Sequence, residues 1–174
     1  MTSKDYDEPW HETVVRVLKS NGVDLVTYIP DNVLRDLIQA LHDDPYFTVI
    51  CPAREEEAVA IVAGAHMAGR RGVVLMQTSG FATLPNALAS MIVPFQIPLV
   101  MVISERGVLG EFQLGQAIVC RTMRPVLESL GIEHRAIEDR SHVEFVVNGM
   151  VQQAFATQSP AAIILSPLLT KRQH

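Results

Sequence analysis

Cysteine, charge and long apolar runs are all scarce in this chain. Two cysteines, Cys51 and Cys120, form neither a disulfide framework nor a CxxC metal pair. The six histidines are scattered without ligand spacing, so no metal site is expected. Charged residues are 19% of the total and sum to −5, which argues against a nucleic-acid partner, since phosphate binding needs clustered Lys and Arg. Every apolar stretch is cut by Pro, Gln or a charge before it reaches the length of a membrane span. Residues 1–10 are acidic and polar, unlike a secretory signal, and the cytoplasm is the expected compartment. There is no GxxxxGKS/T or GxGxxG phosphate loop, no GxSxG elbow and no HExxH helix.

What is present is an apolar fraction of 48% over 174 residues, enough for one domain with a sizeable core, taken here as 1–174. Strand-like and helix-like segments alternate throughout. Asp7 and Pro9 open a helix whose apolar face is Trp10, Val14, Val17 and Leu18, and Gly22 ends it. A strand over 25–29 follows, then a helix capped by Asp31 with Leu34, Leu37, Ile38 and Leu41 on one face. Strands are predicted over 47–51, 72–77, 98–104, 133–137 and 161–166, and helices over 54–69, 80–92, 122–130 and 142–157. A polar, Gly-containing loop is expected over 105–116. The β-α order and the near-continuous apolar strands point to an α/β fold, a parallel sheet with helices on both faces. Ligands of such sheets bind beyond the carboxyl ends of the strands. Pro30-Asp31-Asn32, Gln77-Thr78-Ser79-Gly80 and Glu105-Arg106-Gly107 fall there.

Two helices lack a polar face. Residues 58–69 are small and apolar nearly all round, and 82–95 carry no charge. Each is expected either at the centre of the core or in a subunit interface. His66, inside the first of them, reads as a core or interface histidine, and both cysteines read as small apolar fillers. Arg54-Glu55-Glu56-Glu57 opens that helix, and the helix dipole alone accounts for acids in a first turn.

The run from Arg54 to Gly64 nonetheless resembles the glutamate helix of thiamine-diphosphate enzymes, in which a Glu is followed by small residues and, nine positions on, a Gly; counting back from Gly64 selects Glu55. Gly22-Val23-Asp24-Leu25, Ile29-Pro30-Asp31, Leu75-Met76-Gln77-Thr78-Ser79-Gly80, Arg106-Gly107 and Gly110-Glu111-Phe112 follow in order. Together they resemble the alpha, pyrimidine-binding subunit of sulfopyruvate decarboxylase and the corresponding region of phosphonopyruvate decarboxylase.

The resemblance implies the pyrimidine domain of the thiamine-diphosphate-binding fold. It implies that Glu55 hydrogen-bonds N1′ of the aminopyrimidine and favours its imino tautomer, a task suited to a carboxyl whose pKa is raised by burial among Ala58, Val59 and Val62. Pro30, Asp31, Gln77, Thr78 and Ser79 would border the cofactor, and Arg106 and Gln116 would meet the substrate, a short 2-keto acid with a second anionic group. The metal–diphosphate motif of such enzymes, Gly-Asp-Gly with a downstream Asn-Asn, is absent from the chain. A beta subunit is therefore expected to hold the diphosphate and Mg²⁺, with this chain a homodimer when alone. Phe81 is expected either to narrow the pocket or to mark a repacked loop, and Glu105 to weaken the field of Arg106. The competing readings are a phosphonopyruvate-type or other carboligating thiamine enzyme, a non-catalytic interaction module of the same fold, and a flavodoxin-like nucleotide binder.

Overall fold

The computed structural model describes residues 8–171. Six strands form one fully parallel sheet: β1 (Val23–Tyr28), β2 (Thr48–Ile50), β3 (Arg71–Gln77), β4 (Val100–Ser104), β5 (Glu133–Ile137) and β6 (Ala161–Leu165), in the order β2-β1-β3-β4-β6-β5. The central strands β3, β4 and β6 are apolar because helices cover them on both sides. On one face lie α1 (Trp10–Ser20), α2 (Arg35–Asp43) and α7 (Val143–Thr157), which bury Val14, Leu18, Leu37, Leu41, Val147 and Val151. On the other lie α3 (Glu55–Met67), the short α4 (Thr78–Phe81) and α5 (Pro85–Ala87), and α6 (Leu114–Ser129). A final turn, α8 (Pro167–Thr170), follows β6.

This division of helices fixes where a ligand crevice must open. Right-handed crossovers moving toward β2 place their helix on one face, and those moving the other way place it on the opposite face. The chain leaves β1 toward β2 through α2, whereas it leaves β3 toward β4 through α4 and α5. The two connections diverge, so the carboxyl ends of β1 and β3 flank a switch point.

Several expectations need correction. Asp31 does not cap α2: Leu34 precedes its first residue and no side chain caps it, because Asp31 is engaged elsewhere. The helix expected over 80–92 is broken. It starts earlier, at Thr78, turns at Leu84 before Pro85, and ends in a π-helical turn over Leu88–Ile92. Pro85 cannot donate a helical N–H, so the chain restarts there. The loop after β4 is shorter than expected, because α6 starts at Leu114 and so takes in Gln116 and Arg121. Pro125 lies inside α6, which continues through it to Ser129. Neither segment without a polar face is wholly enclosed within this chain: beyond its three glutamates α3 buries Ala58, Val59, Val62 and Ala63 but exposes Ala60, Gly64 and Met67, the last by 83%. Cys120 is buried as expected, but Cys51, just past β2, is exposed. Asp7, expected at the start of α1, lies outside the described residues.

Candidate functional site

A short chain of hydrogen bonds ties the ends of three adjacent strands together. Thr78, directly after β3, donates its hydroxyl to the Ser104 carbonyl at 3.0 Å and accepts from the Arg106 amide at 2.9 Å. Ser104, the last residue of β4, donates its hydroxyl to Asp31 beyond β1. Thr78 and Ser104 are fully buried, so these bonds hold the loops rather than meet a ligand. The effect is to fix Asp31, Ser79 and Arg106 around the switch point.

A cavity of about 500 Å³ opens there, bordered by Pro30, Asp31, Gln77 and Arg106 together with Tyr28, Arg35 and His42. Four predicted site residues therefore share one space. Among the described residues the Gln77 Oε1 is buried without a hydrogen-bond partner, an orphan acceptor at the cavity wall. Tyr28 and His42 were not anticipated. They pack edge to face, with the phenol 3.1 Å from His42 Nε2, and they sit at the end of β1 and in the last turn of α2. Burial pushes the Tyr28 phenol above its ordinary value, and the nearby Cys51 thiol adds to the effect.

Glu55 and Gln116 stand outside the lining of that cavity. Glu55 is half-buried at the start of α3 and lies against Gly80, so closely that a Cβ on Gly80 would fall 2.2 Å from Oε1. Its neighbours have other surroundings. Glu57 accepts the Ala53 amide at 2.9 Å, closing the helix start, whereas Glu56 Oε2 lies 3.8 Å from Arg54 and, among the described residues, is buried without a hydrogen-bond partner. Gln116, on α6 rather than in a loop, packs its backbone carbonyl beside Gly107, and its Oε1 is also buried without a partner among the described residues. Ser79 is half-buried beside Gly80.

The two departures from the expected motif resolve differently. Phe81 is 1% exposed and belongs to the core under α3 and α6, so it repacks the loop instead of narrowing the cavity. Glu105 does not act on Arg106. Its side chain is buried and forms an ion pair with Arg124 of α6, next to Cys120. Burial pushes the Cys120 thiol up, and the Glu105 charge pushes it further. The carboxylate that meets Arg106 is Glu111, through Nε and Nη2, each at 2.9 Å. Burial pushes the Glu111 carboxyl up, but the Gln113 amide and Arg106 more than offset this and hold it below its ordinary value. The sequence marks Glu111 only as part of the Gly110-Glu111-Phe112 run. Its spacing of five residues from Arg106 across a Gly-containing loop was the available signal.

Among the described residues no helix is long and apolar enough to cross a membrane, and no group of three or more His, Cys, Asp or Glu could hold a metal ion. Comparison with known proteins gives a concordant picture. Residues 10–113 match the family described as thiamine pyrophosphate enzyme, N-terminal TPP binding domain. The chain is 31% identical to the sulfopyruvate decarboxylase subunit alpha of Methanothermobacter thermautotrophicus, over 88% of this chain and 93% of that one. It is 30% identical to a sulfopyruvate decarboxylase of Methanosarcina acetivorans, over 90% of this chain but only 40% of that one. A solved 2-oxoglutarate:ferredoxin oxidoreductase from Magnetococcus marinus shares the fold with a TM-score of 0.73 at 15% identity, covering 94% of this chain and 29% of the other. The chain thus belongs to the thiamine pyrophosphate enzyme family, whose N-terminal TPP binding domain it carries.

Proposed function

We propose that this chain is the alpha subunit of a two-subunit, thiamine-diphosphate-dependent decarboxylase acting on a short 2-keto acid with a second anionic group, of the sulfopyruvate class. The observation that carries the reading is the seating of Glu55 against Gly80 at the carboxyl edge of the sheet, where only a residue without a side chain leaves room for the carboxylate. The surroundings fit an aminopyrimidine ring. The orphan Gln77 Oε1 needs an N–H donor, and a 4′-amino group is one. Glu55 would hold a proton at N1′, while Pro30, Asp31 and Gln77, which line the cavity, and the half-buried Ser79 would border the ring, and Thr78 keeps its neighbours in place. The cofactor, when bound, supplies the electron sink for loss of CO₂. Arg106 at the far wall would receive the anionic tail, with Gln116 behind the Gly107 turn.

A beta subunit would hold the diphosphate through Mg²⁺. The relatives support this division: this chain matches nearly all of an alpha subunit but 40% of the longer Methanosarcina chain. Without that partner the chain is expected to be at least a homodimer in the cytoplasm. Its exposed apolar side chains, Met67 at 83% and Phe95 at 71%, favour self-association, and sedimentation at micromolar concentration showing only monomer would exclude it.

The decisive experiment is Glu55→Gln in the reconstituted complex, read by CO₂ release and by hydrogen–deuterium exchange at the cofactor C2. A loss of about 10²–10⁴-fold in both is expected, typical of removing a general acid–base group. Glu56→Gln and Glu57→Gln serve as controls with near-normal turnover. Wild-type exchange in Glu55→Gln, with loss in either control, would move the catalytic role to the neighbouring glutamate.

A further inference from the structure

The reading of Arg106 as receiver of the substrate's anionic tail leaves Glu111 unexplained, and an arginine already paired with a carboxylate is a weak bare charge. The geometry resolves this. Arg106 donates Nε to one Glu111 oxygen and holds Nη2 2.9 Å from the same oxygen in an ion pair, and among the described residues Nη1 has no partner. Arg106 borders the 500 Å³ cavity on one side and a second cavity of about 290 Å³ on the other, and Glu111 borders only the second.

We propose that Glu111 is a positioning residue: it clamps the Nε–Nη2 edge of Arg106 from behind and leaves the Nη1 edge to hydrogen-bond the acidic tail of the substrate. The inference rests on the proposed role of Arg106. The opposite reading makes Glu111 an internal competitor that the substrate must displace. Three contacts favour the clamp. The other carboxylate oxygen of Glu111 accepts the Gln113 amide at 3.2 Å, directly before α6. Gly107, with φ +103°, is wedged so tightly on α6 that an added Cβ would lie 2.3 Å from the Gln116 carbonyl. Lys171 donates to the Leu109 carbonyl at 3.2 Å. The loop carrying Glu111 is thus tied down on both sides, and the carboxylate cannot withdraw from Arg106 by side-chain rotation without giving up the Gln113 amide. Fixing a guanidinium in advance spares the ordering cost that a free arginine would bear on binding.

The test uses the full chain with nitrogen-15 in its arginines, and sulfoacetate, a non-reacting acid with a sulfonate tail. In the wild type the Arg106 Nε–H is expected to be protected from solvent exchange, and sulfoacetate to shift the Arg106 signals. In Glu111→Gln exchange accelerates, and the dissociation constant for sulfoacetate rises roughly tenfold, as for loss of a charge-assisted contact. An acid titration of the wild type needs no substitution: protection persists through the ordinary carboxylate value of 4.5 and disappears below it, as Glu111 takes a proton. Unchanged exchange and affinity in Glu111→Gln overturn the clamp, and tighter binding overturns it in favour of the competitor. An intact clamp with no response of Arg106 to sulfoacetate instead removes Arg106 as the tail receiver, and the inference falls with it.

Discussion

Replacing Gly80 by alanine separates stability from catalysis in a way that few substitutions here can. The new Cβ would lie 2.2 Å from Glu55 Oε1 and 2.8 Å from its Cγ and Cδ. Real carbon contacts are longer by about 1 Å, so something must move. The obstruction is the free end of a half-buried side chain, and Glu55 swings aside at little cost in packing. Gly80 lies in the α4 turn without a positive φ, so alanine gains about 0.5–1 kcal/mol of backbone preference there. The net change in folding stability is expected within about 1 kcal/mol of zero. Catalysis should respond very differently. A misplacement of about 1 Å costs on the order of 10²-fold, and complete loss of the proton-holding group up to about 10⁴-fold, equal to roughly 2.7–5.5 kcal/mol. Urea denaturation of the chain gives the first quantity, and C2 exchange in the reconstituted complex gives the second. Gly149→Ala is the control, since it lies in α7 with nothing within 4 Å of its added Cβ. A Gly80→Ala complex that exchanges C2 at the wild-type rate would refute the link between the glycine and the glutamate.

Arg124→Met should destabilise the chain by about 1–3 kcal/mol in urea denaturation, because it leaves the buried Glu105 carboxylate unpaired; adding Glu105→Gln should restore most of the loss. Arg16 bridges Glu8 and Glu144, each at 3.0 Å, and its hydrogen bonds hold both carboxyls below their ordinary value of 4.5. Groups with lowered folded pKa values stabilise above the ordinary value and lose that contribution as pH falls through the lowered one. The stability gap between wild type and Arg16→Met, at most about 1 kcal/mol at pH 7 for so exposed a cluster, should therefore close toward zero as denaturation is repeated at progressively lower pH below 4.5. A gap that persists at the acid end would assign the difference to packing.

The sheet was legible because period and length speak plainly in buried parallel strands: Val73 to Met76 and Ala161 to Leu165 are apolar without interruption. The same holds for α1 and α2, where apolar residues return every three or four positions. The failures lie where tertiary contacts override local signals. Asp31 looks like a cap, but the hydroxyl of Ser104, 73 residues away, claims its carboxylate. Leu114 and Gly115 carry no helical start signal, yet α6 begins there, with Gly107 packed against its first turns. At the site, Pro30, Asp31, Gln77 and Arg106 were recognisable from their places after strands, and they share one cavity. Glu111, Tyr28 and His42 were not, since pairing across a loop or between β1 and α2 leaves no periodic trace.

The wedge at Gly107 also bears on how this scaffold could be re-tuned. With that turn anchored to α6 and Lys171 bonded to the Leu109 carbonyl, the exposed residues Val108, Leu109 and Phe112 project from a held frame, within which Leu109, at φ +48°, must remain a residue that tolerates the left-handed region. A library confined to those three positions would sample the rim of the Arg106 region while the backbone beneath keeps its course. A library that included residue 107 would yield mostly collapsed loops, because no other amino acid tolerates both its positive φ and its contact with the Gln116 carbonyl.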